Sequence, residues 1–211
     1  MNKFRKMSDD EVNAFGAALQ PGDWFFVEGT NFVDTLVQWG TGDDDKGEVV
    51  KASVCHVGNY IGDGVGKTFE ADGEKLAYHL FEDYRQRLKN GENRLICFRP
   101  KNLTVDELEI FKSGVKSYVG KNYNRWELFW FGVGSAITKF TPFGFVAGLV
   151  RNPAYKKDSV VCSQLSALVW QGVDRIYKKL TKDEPIENMT PEKLYDRILR
   201  VSDFIFDTAA K

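Results

Sequence analysis

The sequence predicts an α+β fold, and three observations carry that prediction. Apolar and aromatic strand-like runs cluster between Trp24 and Phe98, and capping-box signatures open helices at Ser8 and Thr104. The chain has 211 residues, of which 43% are hydrophobic and 28% charged. That size and balance suit a single domain over residues 1–211 built around its own core.

Taken in order, Ser8-Asp9-Asp10-Glu11 is a capping box that starts a helix running to about Leu19, where Pro21-Gly22 stops it. Trp24-Phe25-Phe26-Val27 reads as a buried strand. Phe32 to Trp39 reads as a short helix with Phe32, Leu36 and Trp39 on one face, and Gly40 to Glu48 as an acidic loop. Ser53 to Gly62 is a strand, Gly62-Asp63-Gly64 a turn, and Lys67 to Ala71 the returning strand. A helix is expected around Lys75 to Leu88, closed by a turn at Asn90-Gly91. Leu95-Ile96-Cys97-Phe98 is a further buried strand that ends at Pro100. Thr104-Val105-Asp106-Glu107 opens a helix reaching Val119, with Gly120 as its cap. Cys162 stands in the first turn of another helix, with Val161, Leu165, Leu168 and Val169 at helical spacing. Thr190-Pro191-Glu192 starts the last.

The aromatic segment 126–150 is unlike the rest. It holds Trp126, Phe129, Trp130, Phe131, Phe140, Phe143 and Phe145, but Glu127, Lys139 and Pro142 interrupt it. No uncharged run reaches the roughly 18 residues that a membrane span requires. The segment is therefore expected to be core and loop, with an aromatic lid or acyl-binding surface as the sharper alternative.

The formal net charge of −1 gives no footprint for nucleic acid or for a polybasic membrane surface. Three cysteines without paired spacing fit a reducing compartment. The N-terminal stretch has no apolar signal region, so a cytoplasmic protein is expected. No zinc spacing, EF-hand or phosphate loop is present, and neither metal nor cofactor is expected.

The chain has only two histidines, and one of them, His56, lies on the strand preceding the Gly62-Asp63-Gly64 turn. If the hairpin is centred on Asp63, His56 falls directly opposite Glu70, and cross-strand partners share a face. A slip of one residue would separate them. Cys55 points to the other face of the same strand, which argues against a Cys55–His56 metal pair. Cys97 reads as strand core and His79 as a surface residue. A thiol in the first turn of a helix, like that of Cys162, meets the positive end of the helix dipole, which favours the thiolate.

These motifs together resemble the permuted NlpC/P60 cysteine hydrolases, the YiiX/YebB-like group. The matching segments are His56-Val57-Gly58-Asn59-Tyr60 and Cys162-Ser163-Gln164-Leu165, with Pro21-Gly22-Asp23 before the first strand. Phe69-Glu70-Ala71 follows the hairpin, and Gly120-Lys121-Asn122-Tyr123-Asn124 falls at the group's glycine–tyrosine turn. Motif order agrees over roughly residues 20 to 196. The stretch at about 124–158 looks like an insertion that carries the aromatic segment.

The resemblance implies a papain-like fold, with helices packed on an antiparallel sheet and the Cys162 helix against the His56 strand. It implies Cys162 as nucleophile, His56 as general base and Glu70 as the group that orients the imidazole. The expected activity is hydrolysis of an amide bond, in a peptide or cell-wall peptide, through a thioester. Two alternatives stand beside it. One is a lipid-directed thioesterase or acyltransferase of the lecithin retinol acyltransferase type, and the other is a non-catalytic binding module on the same fold. A cell-wall substrate sits awkwardly with the missing signal peptide; phage-encoded release, injection or an intracellular target would each reconcile the two. The sequence specifies neither the substrate-binding residues nor the oligomeric state.

Overall fold

The architecture is that of a computed structural model in which residues 4–29, 54, 56–62, 66–71, 75–123, 159–182 and 184–209 are described. The expected helix at 32–39, the acidic loop, Cys55, Asp63 and the stretch 124–158 lie outside the described residues. The elements run α1 (Asp9–Ala18), β1 (Trp24–Glu28), β2 (His56–Gly62), β3 (Lys67–Ala71), β4 (Leu76–Leu80), α2 (Glu82–Asn90), β5 (Arg94–Pro100) and α3 (Val105–Tyr118). Then come β6 (Asn122–Tyr123), β7 (Ser159–Val160), α4 (Cys162–Leu168), α5 (Asp174–Thr181), a 3-10 turn at Ile186–Asn188, α6 (Pro191–Ile198) and β8 (Ser202–Asp207). The result is a mixed α+β fold.

Six strands form one sheet in the order β4-β3-β2-β1-β5-β8, and every neighbouring pair is antiparallel. Side chains alternate across it with the period of two that a pleated strand imposes. Trp24, Phe26, Val57, Phe69, Ile96 and Phe98 face one core, which α4, α5 and α6 cover with Leu165, Trp170, Ile176, Leu180, Leu194 and Ile198. Phe25, Val27, Tyr60, Leu95 and Cys97 face a second core under α1 and α2, with Val12, Phe15, Tyr84 and Leu88. Both faces being covered explains why β1 is buried at every position. Phe25 and Phe26 are fully buried on opposite faces, and each contributes about 1.5–3 kcal/mol of transfer free energy.

The helix boundaries follow local chemistry. Ser8 and Thr104 form full capping boxes with Glu11 and Glu107, and the Thr190 side chain caps α6 with Pro191 at its first position. Two buried charges fix the joints. Arg99 grips Asp23 at 2.9 and 2.8 Å, while Asp23 also accepts the Gln20 N–H at 2.7 Å, which shapes the turn into β1. Fully buried Arg197 donates to the carbonyls of Leu180 and Thr181, each at 2.9 Å, and to Glu184 at 2.7 Å, satisfying the C-terminal end of α5.

Two expectations are corrected. The helix placed at Lys75 to Leu88 begins only at Glu82, and Leu76–Leu80 is a strand paired with β3 in the register Ala71↔Leu76 to Lys67↔Leu80. The run's charges belong to α2, whose start at Phe81 has no side-chain cap to announce it. The strands are also not confined to Trp24–Phe98, because β8 closes the sheet beyond β5.

Candidate functional site

Cys162 is the first residue of α4, and short elements set it there. β6 and β7 pair in parallel, Tyr123 beside Val160, so the glycine–tyrosine turn lies alongside the entry to the helix. Gln164 Oε1 accepts the Val161 N–H at 3.3 Å, tying the first turn to the residue before it. Ser163 donates to the Met189 carbonyl at 2.6 Å, and Asn59 Nδ2 on β2 donates to Ser166 Oγ at 3.0 Å. Every residue from Cys162 to Ala167 is buried, polar ones included, so α4 packs rigidly on β2 and β3. Cys162 itself is 2% exposed.

His56 opens β2, and Glu70 lies on β3. His56 Nε2 and Glu70 Oε2 are 2.7 Å apart. They do not sit directly opposite each other as the Asp63-centred hairpin requires. The register is Asn59↔Phe69 and Tyr60↔Thr68, with an irregularity between Tyr60 and Gly62. The irregularity lies within β2 itself, next to Gly62, which is at positive φ, as is Gly66 before β3. Glu70 therefore faces Gly58, and the displacement of two residues keeps His56 and Glu70 on one face as diagonal neighbours.

Gly58 makes that diagonal contact feasible. A Cβ there would lie 2.2 Å from Phe25 Cζ and 2.8 Å from Glu70 Cγ. The missing side chain leaves the volume that the Glu70 chain and the Phe25 ring occupy.

Three donors converge on the Glu70 carboxylate, which is 3% exposed. His56 and the Tyr84 hydroxyl meet Oε2, each at 2.7 Å, and the Thr68 hydroxyl donates to Oε1. Burial alone would raise the Glu70 pKa, but hydrogen bonds from His56, Thr68 and Tyr84 and the His56 charge hold it below the ordinary carboxylate value. For His56 burial alone would lower the pKa; hydrogen bonding with Cys162 and Glu70, and their charges, push it up to about 10 instead. Since Nε2 is engaged by Glu70, Nδ1 is the ring nitrogen left for the Cys162 sulfur. His56 thus links two layers. Glu70 and Tyr84 belong to the face under α1 and α2, and Cys162 belongs to the core of α4 to α6.

The structure brings together Cys162, His56 and Glu70, which are 106 and 14 positions from the histidine in sequence. The other candidates stay apart from this cluster. Cys97 is a fully buried strand residue whose thiol burial pushes well above its usual range. His79 lies half-buried on the edge strand β4, opposite Thr68. Sequence reasoning missed Thr68 and Tyr84. Thr68 was accessible to it, standing two positions before Glu70 on the same face. Tyr84 sends no such signal, because only tertiary packing carries α2 to β3.

No protein family and no curated protein matches the chain. Among solved structures, the fold is similar to the crystal structure of the metalloprotein yiiX from Escherichia coli O157:H7, a DUF1105 protein. The TM-score is 0.55 at 15% identity, over 89% of this chain and 96% of that one. The fold is therefore YiiX-like. That neighbour is a metalloprotein. Among the described residues no group of three or more His, Cys, Asp or Glu side chains is placed to hold a metal ion. Among the described residues no helix is long and apolar enough to cross a membrane.

Proposed function

We propose that this protein is a cysteine hydrolase of the permuted, papain-like NlpC/P60 type that cleaves an amide bond in a peptide or cell-wall peptide. The observation that supports this reading best is the placement of one imidazole between a buried carboxylate at 2.7 Å and the thiol at a helix start. That arrangement suits nucleophile, base and orienting group in order.

In the proposed reaction His56 takes the proton of Cys162, and Glu70 steadies the imidazolium. The Cys162 sulfur attacks the amide carbon, and the carbonyl oxygen becomes an oxyanion. The backbone N–H of Cys162 has no partner inside the helix by the geometry of a first turn, and is suited to receive that charge. The tetrahedral species collapses as the C–N bond breaks and His56 returns its proton to the leaving amine. A thioester remains on Cys162. Water then attacks it, His56 accepting the water proton and giving it to the departing sulfur, so that a carboxylic acid and the free thiol result.

The test is the pH dependence of Cys162 alkylation by iodoacetamide, resolved by mass spectrometry, in the wild type and in His56→Ala. The expected result is a rate that persists below pH 7 and drops on the order of 10²-fold in His56→Ala, the low end of what a positioned base supplies. A wild-type profile centred near the free-thiol value of about 8.5, unchanged in His56→Ala, overturns the reading. Peptide amide substrates set beside fatty-acyl esters then separate a peptidase from an acyl-directed enzyme.

A further inference from the structure

We propose that Tyr84 and Thr68 are positioning residues for His56: their hydroxyls clamp the two oxygens of Glu70, so that the carboxylate stays ionised and aimed at the imidazole. This rests on the reading of Cys162 and His56 as the reacting pair.

The geometry carries the assignment. Glu70 is 3% exposed, too buried for water to solvate its charge. Its Oε2 takes the Tyr84 O–H at 2.7 Å beside His56 at 2.7 Å, and its Oε1 takes the Thr68 O–H. With both oxygens engaged, the carboxylate plane has one orientation. Without the two hydroxyls, His56 would be the single described side-chain donor holding it, and the χ angles of glutamate would be free to turn the group.

Tyr84 is itself held on all sides. Its ring meets Phe25 edge-on at 5.1 Å between centroids and Phe81 at 6.0 Å, and the Arg87 guanidinium lies 5.8 Å above it. The start of α2 is tied to the hairpin through the Phe81 N–H, which donates to the Gly66 carbonyl at 2.7 Å. The helix that bears Tyr84 is therefore fixed to Gly66, the residue before the strand of Glu70. The ionisable groups facing this carboxylate are His56 from β2 and Tyr84 from α2, with Cys162 of α4 on the far side of the imidazole.

The experiment follows the full chain carrying 13C-carboxyl glutamate by NMR and reads the pH at which Glu70 takes up a proton, in the wild type, Tyr84→Phe, Thr68→Val and Thr68→Ser. Glu70→Gln identifies the resonance. Phenylalanine keeps the ring contacts, and serine keeps the hydroxyl. Loss of a hydrogen bond to a charged group predicts an upward shift of about one pH unit in Tyr84→Phe and in Thr68→Val. Thr68→Ser should stay at the wild-type value. Cys162 alkylation at pH 6 should fall in Glu70→Gln and fall by less in Tyr84→Phe.

Unchanged protonation in folded Tyr84→Phe and Thr68→Val overturns the proposal. So does a shifted protonation with alkylation unaffected in both Tyr84→Phe and Glu70→Gln, since the clamp would then be purely structural. Failure of the underlying reading looks different, because His56→Ala would then alkylate like the wild type whatever Glu70 does. Should Tyr84→Phe not fold, the contrast of Thr68→Val with Thr68→Ser decides alone.

Discussion

The two faces of the sheet use buried polar groups in different ways. Under α4 to α6, buried polar side chains tie one element to another: Ser163 to the Met189 carbonyl, Asn59 to Ser166, and Arg197 to the end of α5. Under α1 and α2, three donors converge on one carboxylate, and that carboxylate reaches the imidazole. The first pattern spreads its hydrogen bonds to hold helices in place. The second concentrates them to set the state of one titratable pair. Substitutions on the first face should therefore cost stability with little effect on the pH profile of Cys162, and those on the second should move the profile.

The largest expected effect lies on the first face. Arg197→Ala removes the buried donor to the Leu180 carbonyl, one of the two donors to the Thr181 carbonyl and the partner of Glu184, and should destabilise by about 3 kcal/mol in urea unfolding. The alkylation profile of Cys162 in the folded protein should keep its wild-type midpoint; a moved midpoint would join the two faces and break the comparison. On the second face, Gly58→Ala forces the Phe25 ring and the Glu70 chain apart, and about 2 kcal/mol is expected from overpacking. This variant should also lose Cys162 reactivity at pH 6, which Arg197→Ala should not.

Glu70→Gln sharpens the contrast through pH. The raised His56 pKa gives stability that is full below 6.5 and is lost as pH climbs towards about 10. The lowered Glu70 pKa gives stability present above 4.5 and lost as pH falls through the folded value. Thermal unfolding should therefore separate Glu70→Gln from the wild type most between about pH 5 and 7, with the gap narrowing on both sides. A constant gap across pH would mean that the pair is not ionised in the folded state. The smallest effect is expected for Ser166→Ala, about 1 kcal/mol for one neutral hydrogen bond and no change in profile.

Much of this was legible in the sequence where the signal is local. The capping boxes at Ser8 and Thr104, the Pro191 start and the placement of Cys162 at a helix start depend on residues within one turn. The pairing of His56 with Glu70 was half legible. Strand alternation put them on one face, but the observed register, with its irregularity between Tyr60 and Gly62, is displaced by two positions, an even number that preserved the face. Long-range pairing hid the rest. Leu76–Leu80 is a strand because β3 offers it a ladder, and β8 is a strand because β5 does, across more than a hundred residues. Tyr84 joins the site for the same reason.

The distances along the chain also set an order of assembly. His56 and Glu70 are 14 positions apart on one hairpin, and such contacts close within microseconds. Cys162 lies 106 positions beyond its histidine and meets it only when α4 docks. A chain still folding thus holds the His56–Glu70 pair before Cys162 reaches it. On the proposed reading, the thiol becomes reactive only at that late step, when the core has closed around it.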